Sequence, residues 1–131
     1  MNVKPLFKLM VEKKASDLFF APFSPAKIKI EGKIMPVNKL EMTPKMVKQA
    51  AFELMTEEQM DVFSRELEID FALSEEGLGR FRVNVFHQRG NVAMVLRYIT
   101  SELPTLDDLG MPPQLKELVM LRRGLILMVG A

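Results

Sequence analysis

Gly79-Arg80-Phe81-Arg82-Val83-Asn84-Val85-Phe86-His87-Gln88 decides the fold class of this chain. Phe81, Val83 and Val85 alternate with Arg80, Arg82 and Asn84, the period-two pattern of a strand with one face in a core. Arg89-Gly90-Asn91 turns the chain back. Residues 92–99 are apolar on both faces except for Arg97, as expected of a central strand. Upstream, Glu68 to Leu73 alternates again, with Ile69, Phe71 and Leu73 on one face, and Ser74-Glu75-Glu76-Gly77 is a loop.

Further outward, Lys27-Ile28-Lys29-Ile30-Glu31 alternates, Glu31-Gly32-Lys33 is a tight turn, and Ile34 to Val37 returns, which predicts a hairpin. Residues 16–20 are a short strand. Three helices fit the remainder. Over 3–14, Val3, Leu6, Phe7, Met10 and Val11 share a face, Asn2 is a possible cap, and Pro5 is tolerated in the first turn. Thr43-Pro44 opens a second helix with Val47, Ala50, Ala51 and Leu54 inward. Thr56 with Gln59 fits a capping box opening a third, with Met60 and Phe63 inward. Met10, Met46, Met55, Met60, Met94 and Met120 read as adaptable core filler. The expected class is α+β: an antiparallel sheet of five or six strands with helices on one face.

Composition narrows the functions available. The chain has 131 residues, 48% hydrophobic and 27% charged, which suits a folded domain. Lys and Arg number 18 against 17 Asp and Glu, so the net charge of +1 gives no bulk attraction for nucleic acid or an anionic membrane. With no cysteine and one histidine, His87, there is no thiol chemistry and no multi-histidine metal site. No apolar run is long enough to span a bilayer, and the first residues lack a signal-peptide core.

The character changes after Ile99. Pro104, Gly110, Pro112 and Pro113 punctuate a linker over 101–113, with Thr105 able to cap one turn at Leu106–Leu109. Pro113 opens a helix to about Leu121, and Arg122-Arg123-Gly124 ends it. Leu125-Ile126-Leu127-Met128-Val129-Gly130-Ala131 is then apolar throughout. Such a run is either the last strand of a domain or the strand that leads into a phosphate-binding loop, of which Gly130 and Ala131 are the first residues.

Charge is segregated along the chain. Residues 1–48 hold ten lysines and four acids, whereas residues 49–76 hold nine acids and one arginine, Arg65. Residues 77–100 contain no acid and four arginines: Arg80, Arg82, Arg89 and Arg97. Opposed charged faces suit head-to-tail contact between copies, or are ordinary solvated surfaces. The arginine strand suits an anion, because guanidinium forks match phosphate oxygens, or it pairs with the acidic segment before it.

The ordered set Ala15-Ser16-Asp17-Leu18-Phe19-Phe20, Lys29-Ile30-Glu31-Gly32-Lys33, Gly79 through Gly90, Leu103-Pro104-Thr105-Leu106 and Arg123 through Ala131 resembles the N-terminal part of the type IV pilus retraction (twitching motility) ATPases, the PilT/PilU family. Phe19-Phe20 leans toward PilU. The resemblance implies a PAS-like domain over 1–100, a linker over 101–113, and over 114–131 the first helix and strand of a RecA-like core, cut at the start of Walker A. It implies a hexameric ring at the cytoplasmic, inner-membrane base of the pilus. The ring's partners are a retraction motor paralogue and the membrane platform, not nucleic acid. ATP and Mg2+ belong to the full-length protein, with neither expected on this chain, no catalytic residue and no metal site within it. Arg80, Arg82 and Arg97 face the nucleotide phosphates, and Gly130 and Ala131 are a partial Walker A. By itself the chain is then expected to be no enzyme. A free-standing PAS-like small-molecule sensor or interaction module is the alternative. A nucleic-acid binder has thin support, with only Phe81 and Phe86 interleaved among the arginines.

Overall fold

The computed structural model describes residues 3–100 and 103–130. They divide into two compact units, one up to residue 101 and one from residue 102.

The first unit runs α1 (Lys4–Glu12), β1 (Asp17–Phe20), β2 (Pro25–Ile30), β3 (Lys33–Glu41), α2 (Pro44–Leu54), α3 (Glu57–Glu66), β4 (Glu68–Glu75), β5 (Gly79–Gln88) and β6 (Asn91–Ile99). The six strands form one antiparallel sheet in the order β3-β2-β1-β6-β5-β4. β6 is therefore central, as its apolar composition requires. The decisive stretch is a strand over its full quoted length, Gly79–Gln88. Gln88 pairs with Asn91, so only Arg89 and Gly90 form the turn, both at positive φ (51° and 76°). Glu31 and Gly32 do the same in the β2–β3 hairpin, at 48° and 80°. Two consecutive left-handed residues match the strand twist, which glycine accepts at no steric cost.

One face of the sheet carries the core. Leu18, Ile28, Phe81, Val83, Val85, Met94 and Leu96 are buried there, with Phe7 and Met10 of α1, Val47, Ala50 and Ala51 of α2, and Phe63 of α3. The Phe7 and Phe81 rings stack with centroids 4.6 Å apart. Helix starts follow the expected chemistry in two cases of three. Thr43 Oγ1 accepts from the Met46 N–H at 3.2 Å. At α3, Thr56 and Gln59 close a complete capping box at 3.2 and 2.9 Å. At α1, Val3 holds the N-cap with no side-chain cap, and Asn2 lies outside the described residues. Met10, Met55 and Met94 are buried and Met46 and Met60 pack against the core, but Met120 is exposed. β3 extends to Glu41, beyond the expected Val37, and is an edge strand exposed on both faces. Pro36, without an N–H, is tolerated because one side of β3 has no strand to bond.

In the second unit, Thr105 and Asp108 close one turn. Asp108 Oδ2 accepts from the Thr105 N–H and hydroxyl at 2.9 and 2.6 Å, and Thr105 Oγ1 accepts from the Asp108 N–H at 3.2 Å. α4 (Gln114–Leu118) is shorter than the helix to Leu121 that the sequence suggests. Residues 125–130 form no strand, and Leu125, Ile126, Leu127, Met128 and Val129 are exposed. An extended apolar segment becomes a strand only when its backbone N–H and C=O groups meet a neighbour. No such neighbour exists among the described residues. Gly130 is exposed, and Ala131 lies outside the described residues.

Candidate functional site

The sheet face opposite the core is polar, and strand register sets its order. Across one row, Lys29 of β2, Asp17 of β1, Arg97 of β6, Arg82 of β5 and Ala72 of β4 are successive partners. In the next row stand Lys27, Phe19, Val95, Asn84 and Asp70. Directly paired residues point to the same face, so these side chains share one surface. Asp17, Asp70, Arg82, Asn84, Val95 and Arg97 line a shallow cavity of about 310 Å3 there.

β5 reaches its acids diagonally. Arg82 sits opposite Ala72, and its guanidinium extends to Asp70, two residues along β4. Arg82 Nε donates to Asp70 Oδ1 and Oδ2 at 3.0 and 2.9 Å, and Nη2 donates to Oδ2 at 2.5 Å. Asn84, opposite Asp70, donates in the same sense to Glu68 Oε1 at 3.1 Å. Arg80, opposite Ser74, has Ala72 at the equivalent diagonal, which offers no oxygen on its side chain. Arg80 accordingly has no ion pair among the described residues. It lines a separate open groove with the β4–β5 turn and Tyr98.

Arg97 is held differently. Asp17 is 4% exposed, the one buried charged residue among those described. Its Oδ1 accepts from Arg97 Nε at 2.8 Å, and its Oδ2 accepts from the Ser16 hydroxyl at 2.9 Å. A buried carboxylate needs such partners to remain charged. Only Nε of Arg97 is engaged, so its two terminal nitrogens have no hydrogen bond among the described residues, and the side chain is 65% exposed.

The electrostatics follow these bonds. Hydrogen bonds from Arg82 hold the Asp70 carboxyl below its ordinary 3.8, against a smaller opposing effect of burial. The same carboxylate raises the Arg82 guanidinium further. His87 plays no part in this face: its ring stacks on Phe63 with centroids 5.0 Å apart. Its backbone N–H donates to the Leu67 carbonyl at 3.1 Å, at the C-terminus of α3. Arg89 sits in the β5–β6 turn. No group of three or more acidic or histidine side chains able to hold a metal ion occurs among the described residues.

The structure thus brings Arg82 and Arg97 together and places Arg80 beside them in another groove. The pairing of Arg82 with the acidic segment is as the sequence suggested, through Asp70. Arg97 instead pairs outside that segment, with Asp17. Asp17 stands 80 residues away in sequence, and only the β1–β6 pairing reveals the contact.

This six-stranded antiparallel sheet with helices on one face matches the N-terminal part of pilus motor ATPases of known structure. A crystal structure of the pilus retraction motor PilT with bound ADP superposes with TM-score 0.78 at 32% identity, over 90% of this chain and 35% of that one. The Legionella pneumophila ATPase DotB shares the fold with TM-score 0.65 at 16% identity, over 93% of this chain and 35% of its own. In sequence, the type IV pilus ATPase PilU of Pseudomonas aeruginosa is 43% identical over 131 residues, all of this chain and 34% of PilU. The retraction ATPase PilT of the same organism is 32% identical over 130 residues, 99% of this chain and 38% of PilT. No protein-family model matches. The chain belongs to the PilT/PilU family of type IV pilus ATPases, corresponds to their N-terminal part, and is more similar to this PilU than to this PilT. It spans about a third of the length of these relatives. Among the described residues, no helix is long and apolar enough to cross a membrane.

Proposed function

We propose that this chain is the PAS-like N-terminal domain of a hexameric type IV pilus retraction ATPase, working on the cytoplasmic side at the inner-membrane base of the pilus. Residues 1–100 are the domain, 101–113 its linker, and 114–131 the start of a RecA-like core whose Walker A begins at Gly130 and Ala131. Its neighbours are other copies in the ring, a paralogous motor and the membrane platform.

The domain's role is to present arginines to the phosphates of ATP bound by the core. The carrying observation is Arg97, anchored through Nε to buried Asp17, with its terminal nitrogens making no hydrogen bond among the described residues and its side chain exposed. These nitrogens form the planar fork that suits phosphate oxygens. Arg80 has no ion pair among the described residues, and Arg82 supplies a third guanidinium from the same face. ATP brings the polyphosphate and the reactive γ-phosphoryl group. The arginines neutralise its charge and couple nucleotide state to movement of the domain. Mg2+ finds no ligand set among the described residues and is assigned to the core.

In the full-length protein, Arg82→Ala lowers ATP hydrolysis while leaving the thermal unfolding midpoint in place, and Arg97→Lys, which keeps a cation beside buried Asp17 but loses the fork, lowers hydrolysis too. Wild-type turnover in both variants removes the face from the site. The 131-residue chain alone hydrolyses ATP only at background; turnover above contaminant level overturns its assignment as a non-catalytic part.

A further inference from the structure

The β2–β3 hairpin is one margin of the sheet, and it is basic. Residues 25–41 hold four lysines, Lys27, Lys29, Lys33 and Lys39, against Glu31 and Glu41. None of the four makes an ion pair among the described residues. Apolar side chains stand between them: Ile34 is 58% exposed and Leu40 55%. Phe23, in the β1–β2 loop, is 73% exposed and sits at φ 60°. A bulky residue in the left-handed region is strained, and Phe23 is not part of the core. Its N–H donates to the Met42 carbonyl at 2.8 Å, and the Met42 N–H donates to the Ser24 carbonyl at 3.0 Å. These two bonds fix the loop at the end of β3 that carries Lys39 and Leu40.

This margin is closed to another strand. β2 and β3 pair from Ile30–Lys33 to Lys27–Pro36, and the next pair is Pro25–Glu41, so residues 37–40 bulge opposite Ala26 alone. Pro36 has no N–H, and the Leu40 N–H is taken by Asn38 Oδ1 at 2.9 Å. Proline, lysines and a bulge are the devices by which an edge refuses an added strand. The neighbour that fits needs no backbone pairing and meets lysines and apolar side chains together, as the headgroup layer of an anionic bilayer does. Nucleic acid would meet the lysines and leave Ile34 and Leu40 in water. We propose that this margin rests on an anionic lipid surface, with its lysines at the lipid phosphates and Phe23, Ile34 and Leu40 at the acyl boundary. The net charge of +1 conceals this attraction because the acids are gathered elsewhere, nine of them in residues 49–76. The inference goes beyond the proposed function, which places the chain at the membrane through a protein platform and needs no lipid contact.

The test sediments the full-length protein with vesicles of phosphatidylcholine containing about one-third phosphatidylglycerol, and with vesicles of phosphatidylcholine alone. The protein pellets with the anionic vesicles only, and added salt releases it. Lys33→Gln and Lys39→Gln each lower the partition coefficient about fivefold, the factor for one lysine near such a surface. Phe23→Ser lowers it too and leaves ATP turnover in solution unchanged. Lys8→Gln removes the same charge from α1 and leaves partitioning as in the wild type, which separates this margin from general attraction. No pelleting with anionic vesicles, equal pelleting with both compositions, equal losses in Lys8→Gln and Lys33→Gln, or wild-type partitioning of Phe23→Ser overturns the proposal. So does a lack of vesicle binding with the same variants changing the sedimentation of the protein alone, which assigns the margin to contact between copies. Each of these results leaves the phosphate face standing, since Arg82→Ala tests that reading separately.

Discussion

Phe81 locks the arginine strand to the core, and its removal has a calculable cost. It is completely buried, between the stacked ring of Phe7 at 4.6 Å and the tilted ring of Tyr98 at 5.3 Å. Phe81→Ala removes most of the side chain from a site closed by two other rings, so little collapse can fill the void. Buried Phe→Ala changes cost about 3–5 kcal/mol, of which an aromatic pair accounts for ~0.5–1.5 kcal/mol. With a urea m-value of about 1.5 kcal/mol/M, the midpoint falls by about 2–3 M. Urea unfolding followed by circular dichroism measures this, with m unchanged. A cycle of Phe7→Leu, Phe81→Leu and the double variant isolates the stack, because Leu keeps apolar contact without the ring face. Its coupling energy is expected at about 0.5–1.5 kcal/mol. A Phe81→Ala loss below ~1 kcal/mol refutes the claim that this residue anchors β5.

Thr56→Ala removes the hydroxyl that accepts from the Gln59 N–H and costs about 1 kcal/mol, read as a lower urea midpoint; Gln59→Ala removes only the reciprocal bond, in which its side chain accepts from the Thr56 N–H. Gly79→Ala destabilises more than Gly90→Ala, since both have positive φ but a Cβ at Gly79 meets Tyr98 at 3.2 Å, whereas Gly90 has open space; thermal melts rank them. Asp70 is held below its ordinary 3.8 by Arg82, so its contribution is present above that value and is lost as pH falls from 3.8 through the lower folded-state value. Asp70→Asn therefore lowers the urea midpoint slightly near neutrality and flattens its acid limb, so that variant and wild type converge at low pH; the effect is small because the pair is exposed.

Local chemistry explains why so much of the first unit is legible from sequence. Alternation at Phe81, Val83 and Val85 needs no knowledge of neighbours, and Thr56 with Gln59 closes a box within four residues. The Arg89-Gly90 turn follows from what a two-residue hairpin demands. What escapes is set by distant partners. Nothing near Asp17 announces that it is buried; its burial depends on Arg97 arriving from the adjacent strand. The length of β3 is hidden because its outer residues are exposed on both faces and carry no periodic signal. Residues 125–130 fail for the opposite reason: their composition states a strand, but pairing is a property of two segments.

The same reasoning explains how two arginines share one open sheet face. Arginines on an open sheet would repel one another: Arg82 and Arg97 are direct cross-strand partners, a destabilising juxtaposition of like charges. The fold relieves this by giving each its own acid from the strand on its far side, Asp17 from β1 and Asp70 from β4. Two cations can therefore stand side by side without an anion between them. The two acids differ in how firmly each holds its arginine. Asp17, buried and bonded to Ser16, keeps Arg97 in place through one nitrogen and leaves the fork open. Asp70 stands open to water, so its pair with Arg82 is the one that solvent weakens.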